Sequence, residues 1–202
     1  SANLQANVNT ALQIDLQNIT TITGSFSDLN GISTNTGLLN SGSDFINFDG
    51  RALTLNETVS VGNANTLLGL TSGKVTASVT AGNLTTLNDL NAEAGNAIAT
   101  TVNTATVDLG DLATLDTKID QTSGGSISIN DVTTLEGSFT ELDSFHTDRG
   151  NFDDNTNIVK VTLDAGALAS ASDLATLSAN LQTNINTALQ IDLQNVTTIT
   201  GS

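Results

Sequence analysis

The 202-residue chain contains no cysteine, proline, methionine, tryptophan or tyrosine. Without cysteine there is no disulfide framework and no thiolate metal site. Average usage would give about ten prolines. Proline is excluded from helix interiors and from strands hydrogen-bonded on both sides, so its absence fits a chain whose strands are mostly central. Cations are scarce as well: Arg51, Lys74, Lys118, Arg149 and Lys160 stand against 21 acidic residues, for a formal net charge of −16. That balance makes nucleic acid a very poor partner and an anionic membrane an equally poor one. No apolar run approaches the roughly 18 residues of a membrane span, so no membrane insertion is expected. With neither Trp nor Tyr, the ring-stacking platforms of sugar-cleaving clefts are missing.

What remains is a packing alphabet. Hydrophobic residues make up 38% of the chain, almost all of them Leu, Ile, Val and Ala, enough for one or two ordinary domains with a real core. Only 13% is charged, about half the usual share, so the polar surface is largely Thr, Asn and Ser.

The dominant feature is repetition. SANLQANVNTALQIDLQNITTITGS at residues 1–25 returns as SANLQTNINTALQIDLQNVTTITGS at 178–202, with 22 of 25 positions identical. The changes are Ala6 to Thr183, Val8 to Ile185 and Ile19 to Val196. Residues 1–177 therefore read as one full period and 178–202 as the start of the next. Shorter echoes lie inside the period: NITTITGSFSDLNGI (18–32) aligns with DVTTLEGSFTELDSF (131–145), and DLATL occurs at 111–115 and 173–177.

Alternating or β-branched stretches predict strands at 12–16, 53–61, 75–79, 105–109, 126–129, 159–163 and 189–193. Their starts are 21 to 41 residues apart, about 30 on average, within the range of solenoid repeats. Between them lie helix-start signals: the capping box Ser138-Phe139-Thr140-Glu141, and Asp28, Asp111 and Asp173 at the heads of apolar i, i+3, i+4 patterns. Leu112, Leu115 and Ile119 form one such stripe, and Leu174, Leu177 and Leu181 another. The longest helix is expected over 170–186. Strand–helix alternation argues for an α/β fold with a parallel sheet and right-handed crossovers. The expected form is a right-handed strand–helix solenoid of about six coils per 177-residue period. A doubly wound α/β domain is the first alternative. A parallel β-helix is the other, in which VTTLEG and ITTITG are second strands rather than helix starts.

Signals for chemistry are weak. His146 is the only histidine; Ser144, Asp143 and Asp148 lie beside it, but loop neighbours rarely converge into a catalytic triad, and it reads as a solvated loop residue. DRGNFDDNTN (148–157) gathers Asp148, Asp153 and Asp154, while SGSDFINFDG (41–50) offers Asp44 and Asp49. Oxygen ligands at close spacing suit calcium, yet neither EF-hand nor nonapeptide spacing is present. Phosphate-cradling glycine loops are absent, and no enzyme activity or cofactor is expected. Thr-rich segments such as TTIT reflect β-branching, or a face for ice or glycan. Asn18, Asn56, Asn83 and Asn195 head N-x-[ST] sequons.

DVTTLEGSFTELDSF, NITTITGSFSDLNGI and SASDLATLSANL resemble the repeats of very large extracellular proteins of marine bacteria and cyanobacteria, built from acidic, Thr/Asn-rich, Cys-free "VTTLTG…DLN" units. The resemblance implies a cell-surface or secreted array, adhesin-like or structural, and brings no catalytic residues. Adjacent copies of the repeat are the expected partners, within one chain or end to end between chains, and the chain reads as a window onto a longer array. The alternative function is a binding module with a regular Thr/Asn or acidic face for glycan, ice or calcium.

Overall fold

The computed structural model describes residues 14–34, 45–91, 94–153, 157–164 and 170–201. In chain order the elements are β1 (Ile14–Asp15), β2 (Thr21–Gly24), α1 (Phe26–Thr34), β3 (Phe45–Ile46), β4 (Ala52–Val59), α2 (Val61–Leu68) and β5 (Val75–Val79). They continue with α3 (Leu84–Leu87), β6 (Ala97–Thr101), β7 (Thr106–Asp108), α4 (Leu109–Asp116), β8 (Ser126–Ser128), β9 (Thr134–Gly137) and α5 (Phe139–Asp148). After these come β10 (Phe152–Asp153), β11 (Lys160–Leu163), α6 (Ala171–Asn184) and β12 (Gln190–Asp192). The protein is α/β, with a six-stranded and a four-stranded sheet besides the short pair β1–β3. Neither sheet closes on itself among the described residues.

All seven strands expected from alternation are present, and α6 falls within the expected 170–186. Five more strands, β2, β3, β6, β9 and β10, depart from the expected one strand per helix. In two of them the reason is visible in the residues: the Thr-Thr-Ile and Thr-Thr-Leu runs of β2 and β9 are β-branched and prefer a pleated strand. A helix begins only after the serine that follows each run, Ser25 or Ser138. The segments VTTLEG and ITTITG are thus strands, as only the β-helix alternative expected.

The chain divides into two compact units interleaved in sequence. The first comprises residues 1–80, 89–99 and 119–125. In it β2 pairs with β4, β4 with β5 and β5 with β6, all in parallel. Ile22 stands opposite Leu53 and Leu53 opposite Val75, so equivalent positions recur after 31 and 22 residues. Leu53 and Val75 are fully buried, together with Leu29 of α1 and Ala64 and Leu67 of α2. Fully burying one such leucine or valine contributes about 1.5–3 kcal/mol, so these residues hold the helices on the sheet. β4 carries an irregularity between Thr54 and Thr58, and Glu57 within it accepts the Phe26 N–H (2.7 Å) at the start of α1. Close packing also fixes the turn before β5: a Cβ on Gly73 would stand 2.4 Å from the Arg51 carbonyl oxygen, so only glycine fits.

The second unit comprises residues 81–88, 100–118 and 126–202. Here β7, β9, β11 and β12 pair in parallel, in that order. Val107, Leu135, Val161 and Ile191 face one another across the four strands, 28, 26 and 30 residues apart. The first three are at most 2% exposed. Leu112 and Leu115 of α4, Leu142 and Phe145 of α5, and Leu177 and Leu181 of α6 are buried as well. Ile119 is buried but lies beyond the end of α4, and Leu174 is only half-buried.

Each of the six α-helices among the described residues is capped by a polar residue one position before its first turn. Ser60, Asn83, Asp108 and Ser170 accept the N–H of Asn63, Thr86, Asp111 and Asp173. Ser25 with Asp28, Ser138 with Glu141 and Ser170 with Asp173 form reciprocal capping boxes. Such caps satisfy N–H groups that a helix start leaves unpaired. Asn83, one of the sequon asparagines, is among them.

Candidate functional site

The calcium candidates do not assemble. Asp44 and Asp154 lie outside the described residues. Asp148 ends α5 and Asp153 lies in β10, so the acidic stretch 148–157 is not a single loop. Asp49 is committed to the backbone: its Oδ1 accepts the N–H groups of Ser72 (2.7 Å) and Gly50 (2.8 Å), and these bonds hold its carboxyl below the usual range. His146 lies within α5 rather than in a loop. Among the described residues no group of three or more His, Asp or Glu is placed to hold a metal ion.

Two other features were not visible in the sequence. Asp108 at the end of β7, Glu141 in the first turn of α5 and Asp164 just after β11 come together. Burial, then the charges of Asp108 and Glu141, raises the Asp164 carboxyl above its ordinary value. The Ser138 backbone and hydroxyl instead lower that of Glu141. The second is an apolar cavity of about 240 Å³ between α4 and α5, lined by Leu109, Leu112, Phe145 and Phe152 with Asp116 and Glu141 at its rim. Phe145 and Phe152 stack there with centroids 5.7 Å apart. Among the described residues the carboxylates form no group placed to hold a metal ion, and the exposed lining of the cavity is mainly apolar, although Asp116, Thr140, Glu141, Ser144 and Asp148 border it.

The repeated segment carries more information. Its two copies make the same turn with the same bonds. Asp15 Oδ1 accepts the Gln17 N–H at 2.9 Å, and Asp192 Oδ1 accepts the Gln194 N–H at 2.9 Å. Ile19 N–H donates to the Leu16 carbonyl, and Val196 N–H donates to the Leu193 carbonyl, both at 2.9 Å. Strands flank the turn in the first copy (β1 and β2). The second has β12 on one side and an isolated parallel bridge from Thr200 to Ser170 on the other.

The neighbours differ. The first copy pairs with residues that follow it: β1 with β3 and β2 with β4. Asn47 Nδ2 donates to Asp15 Oδ1 (2.8 Å), and the Arg51 guanidinium donates to the carbonyls of Gln17 and Ile19, both at 2.9 Å. The second copy pairs with residues that precede it: β12 with β11, and Thr200 with Ser170. Lys160 Nζ stands 2.7 Å from Asp192 Oδ2, the carboxylate oxygen other than the one whose counterpart in Asp15 Asn47 uses.

The hydrogen-bonding edges are complementary. Thr20 accepts the Ala52 N–H (3.0 Å) through its carbonyl, and Thr200 accepts the Ala171 N–H (2.9 Å). Thr200 corresponds to Thr23 of the first copy, three residues from Thr20. Along an extended strand, the backbone groups of positions an odd number apart face opposite edges. The two copies therefore use opposite edges of one and the same strand.

No protein family, curated protein or solved structure matches the chain. The 177-residue recurrence was legible in the sequence. The use of opposite edges was not, because it depends on which neighbour each copy meets.

Proposed function

We propose that the chain is a structural segment of an extracellular or cell-surface repeat array, a right-handed solenoid that extends a rod and has no catalytic role. The observation that carries this reading is that the 25-residue segment makes the same turn with the same bonds at both of its positions, 177 residues apart. A unit that folds the same way at each recurrence is what a stacked array is built from. The recurrence of facing residues every 21 to 31 positions along parallel strands supports the same reading, as do the Cys-free, Thr/Asn-rich composition and the resemblance to bacterial surface repeats. A calcium-, ice- or glycan-binding face has less support, since Asp49 already serves the backbone.

The test is a polypeptide of two 177-residue periods studied by small-angle scattering and thermal unfolding. Six coils at the strand spacing of about 4.8 Å advance roughly 29 Å, so the longest dimension should grow by about that amount per added period. Two compact bodies on a flexible joint would contradict the rod reading.

A further inference from the structure

We propose that the cavity between α4 and α5 is a binding site for a small organic cation, a free ammonium compound that carries a single ring or a short aliphatic body. The site lies wholly within the second unit and does not depend on the array reading.

Its floor follows from local structure. α4 starts directly after β7 and buries Leu112, and α5 buries Phe145. Phe152 of β10 is buried as well and stacks on Phe145 with ring centroids 5.7 Å apart. The whole chain has six aromatic residues, all of them Phe, and two meet at this wall. In the middle of each helix the side chain offered to the gap is small, Ala113 from α4 and Ser144 from α5, so the helices do not fill it. The volume left is about 240 Å³. An apolar cavity of about 150 Å³ holds a benzene molecule, so this one has room for a ring with a short tail.

The rim sets the charge of the occupant. Asp116 from α4 and Glu141 and Asp148 from α5 border the cavity, and among the described residues no cation lines it. Asp116 Oδ2 accepts the Asn151 amide at 2.9 Å, and Glu141 Oε2 accepts the Ser138 N–H and hydroxyl, both at 2.8 Å. A carboxylate has about four acceptor positions, so each of these keeps capacity for an ammonium group. The Phe rings also attract a cation that comes within about 6 Å of a centroid. An anion of the same shape would meet three carboxylates and be repelled, and a neutral molecule would gain only the apolar floor. A metal ion would leave that floor unused, and among the described residues no three acids converge to hold one.

The test uses three probes of nearly one shape: 2-phenylethylammonium, 2-phenylethanol and 3-phenylpropionate. Each is titrated into the full chain at neutral pH while the methyl groups of Leu109, Leu112 and Ala113 are followed by NMR. The ammonium should shift these methyls saturably with Kd on the order of 1 mM, the range open to a ligand of about nine heavy atoms. The alcohol should bind about two- to fivefold more weakly, the effect of an exposed ion pair, and the carboxylate more weakly still. Ala113→Leu fills the gap from an exposed position and should abolish the saturable shift at Leu109 and Leu112. Asp116→Asn combined with Asp148→Asn keeps the side-chain shapes and should bring the ammonium to the affinity of the alcohol. Circular dichroism establishes that each variant is folded. The site is overturned if the unaltered chain shows no saturation, or if it binds ammonium and carboxylate equally. Saturation that survives Ala113→Leu, or an ammonium preference that survives the double Asn variant, overturns it too. None of these results bears on the shape of the two-period chain, so the array reading stands or falls separately.

Discussion

Lys160 Nζ lies 2.7 Å from Asp192 Oδ2 and ties β11 to β12 through a carboxylate whose other oxygen closes the turn to Gln194. The Lys160 bond, then the Gln194 N–H, holds the Asp192 carboxyl below its ordinary value. Both side chains are partly exposed, at 39% and 24%, so water and salt screen the pair. Lys160→Ala should move the Asp192 titration, followed by carboxyl NMR, back towards the ordinary aspartate range. It should lower Tm by no more than about 2 °C, a loss that shrinks in high salt.

Acid should unfold this protein through its turns and caps. Asp15, Asp49, Asp120, Asp173, Asp192 and Glu141 are all held low by hydrogen bonds, Asp120 most strongly through Thr122 and the Gly95 N–H. For a carboxyl whose folded pKa lies below its unfolded one, the unfolded chain takes up protons first on acidification. The stabilisation is full above the unfolded values near 4 and is lost as pH falls from there. Asp164 runs the other way: its raised pKa means that ionisation opposes folding at neutral pH. Denaturant midpoints should drop below about pH 4, and Asp164→Asn should raise the midpoint at pH 7 but not at pH 3. A flat profile from pH 7 to 3 would contradict the role given to these groups.

Leu135 is fully buried, with Val107 and Val161 opposite it on the two flanking strands. Leu135→Ala should cost about 2–5 kcal/mol in equilibrium unfolding. Ile191, half-buried on the fourth strand of the same column, should tolerate Ile191→Val at about 1 kcal/mol or less. Equal costs at the two positions would mean that the column does not centre on Leu135.

Arg51 reaches across to two carbonyls of the repeated segment, and its bonds hold the turn from Gln17 to Ile19 in place. Both bonds leave from one nitrogen, Nη1, which stands one atom further from Cα than a lysine ammonium does. Arg51→Ala and Arg51→Lys should both speed amide exchange at residues 19–24, by about tenfold for the loss of one such bond. Exchange in β9 and β11 should not change. Uniform acceleration would indicate general destabilisation instead.

Strand positions were legible where apolar residues alternate, as in VTASV, whose Val75, Ala77 and Val79 are buried, because period-two patterning is set by a sheet with one buried face. In KVTL, buried from Val161 to Leu163, β-branching gave the signal instead. The helix starts were equally legible, since Ser138 and Ser170 with acids three residues on satisfy backbone groups locally. Thr134–Gly137 was harder: its residues suit a strand or the approach to a helix, and the choice is made by pairing with Val107 and Val161, far away in sequence. The meeting of Asp108, Glu141 and Asp164 was out of reach for the same reason. Asp108 ends β7, Asp164 follows β11 and Glu141 lies in the first turn of α5, and only the parallel register brings them together.

The opposite-edge use of Thr20 and Thr200 has a consequence for how length is controlled. A contact between unlike edges is never its own mate, so it cannot close on a two-fold axis and saturate as a symmetric dimer does. In the proposed array, each added period would leave the same unfilled edge at the far end. Nothing in such a joint would count, so the length of the proposed array would have to be set by the number of periods in the polypeptide or by a segment of different sequence.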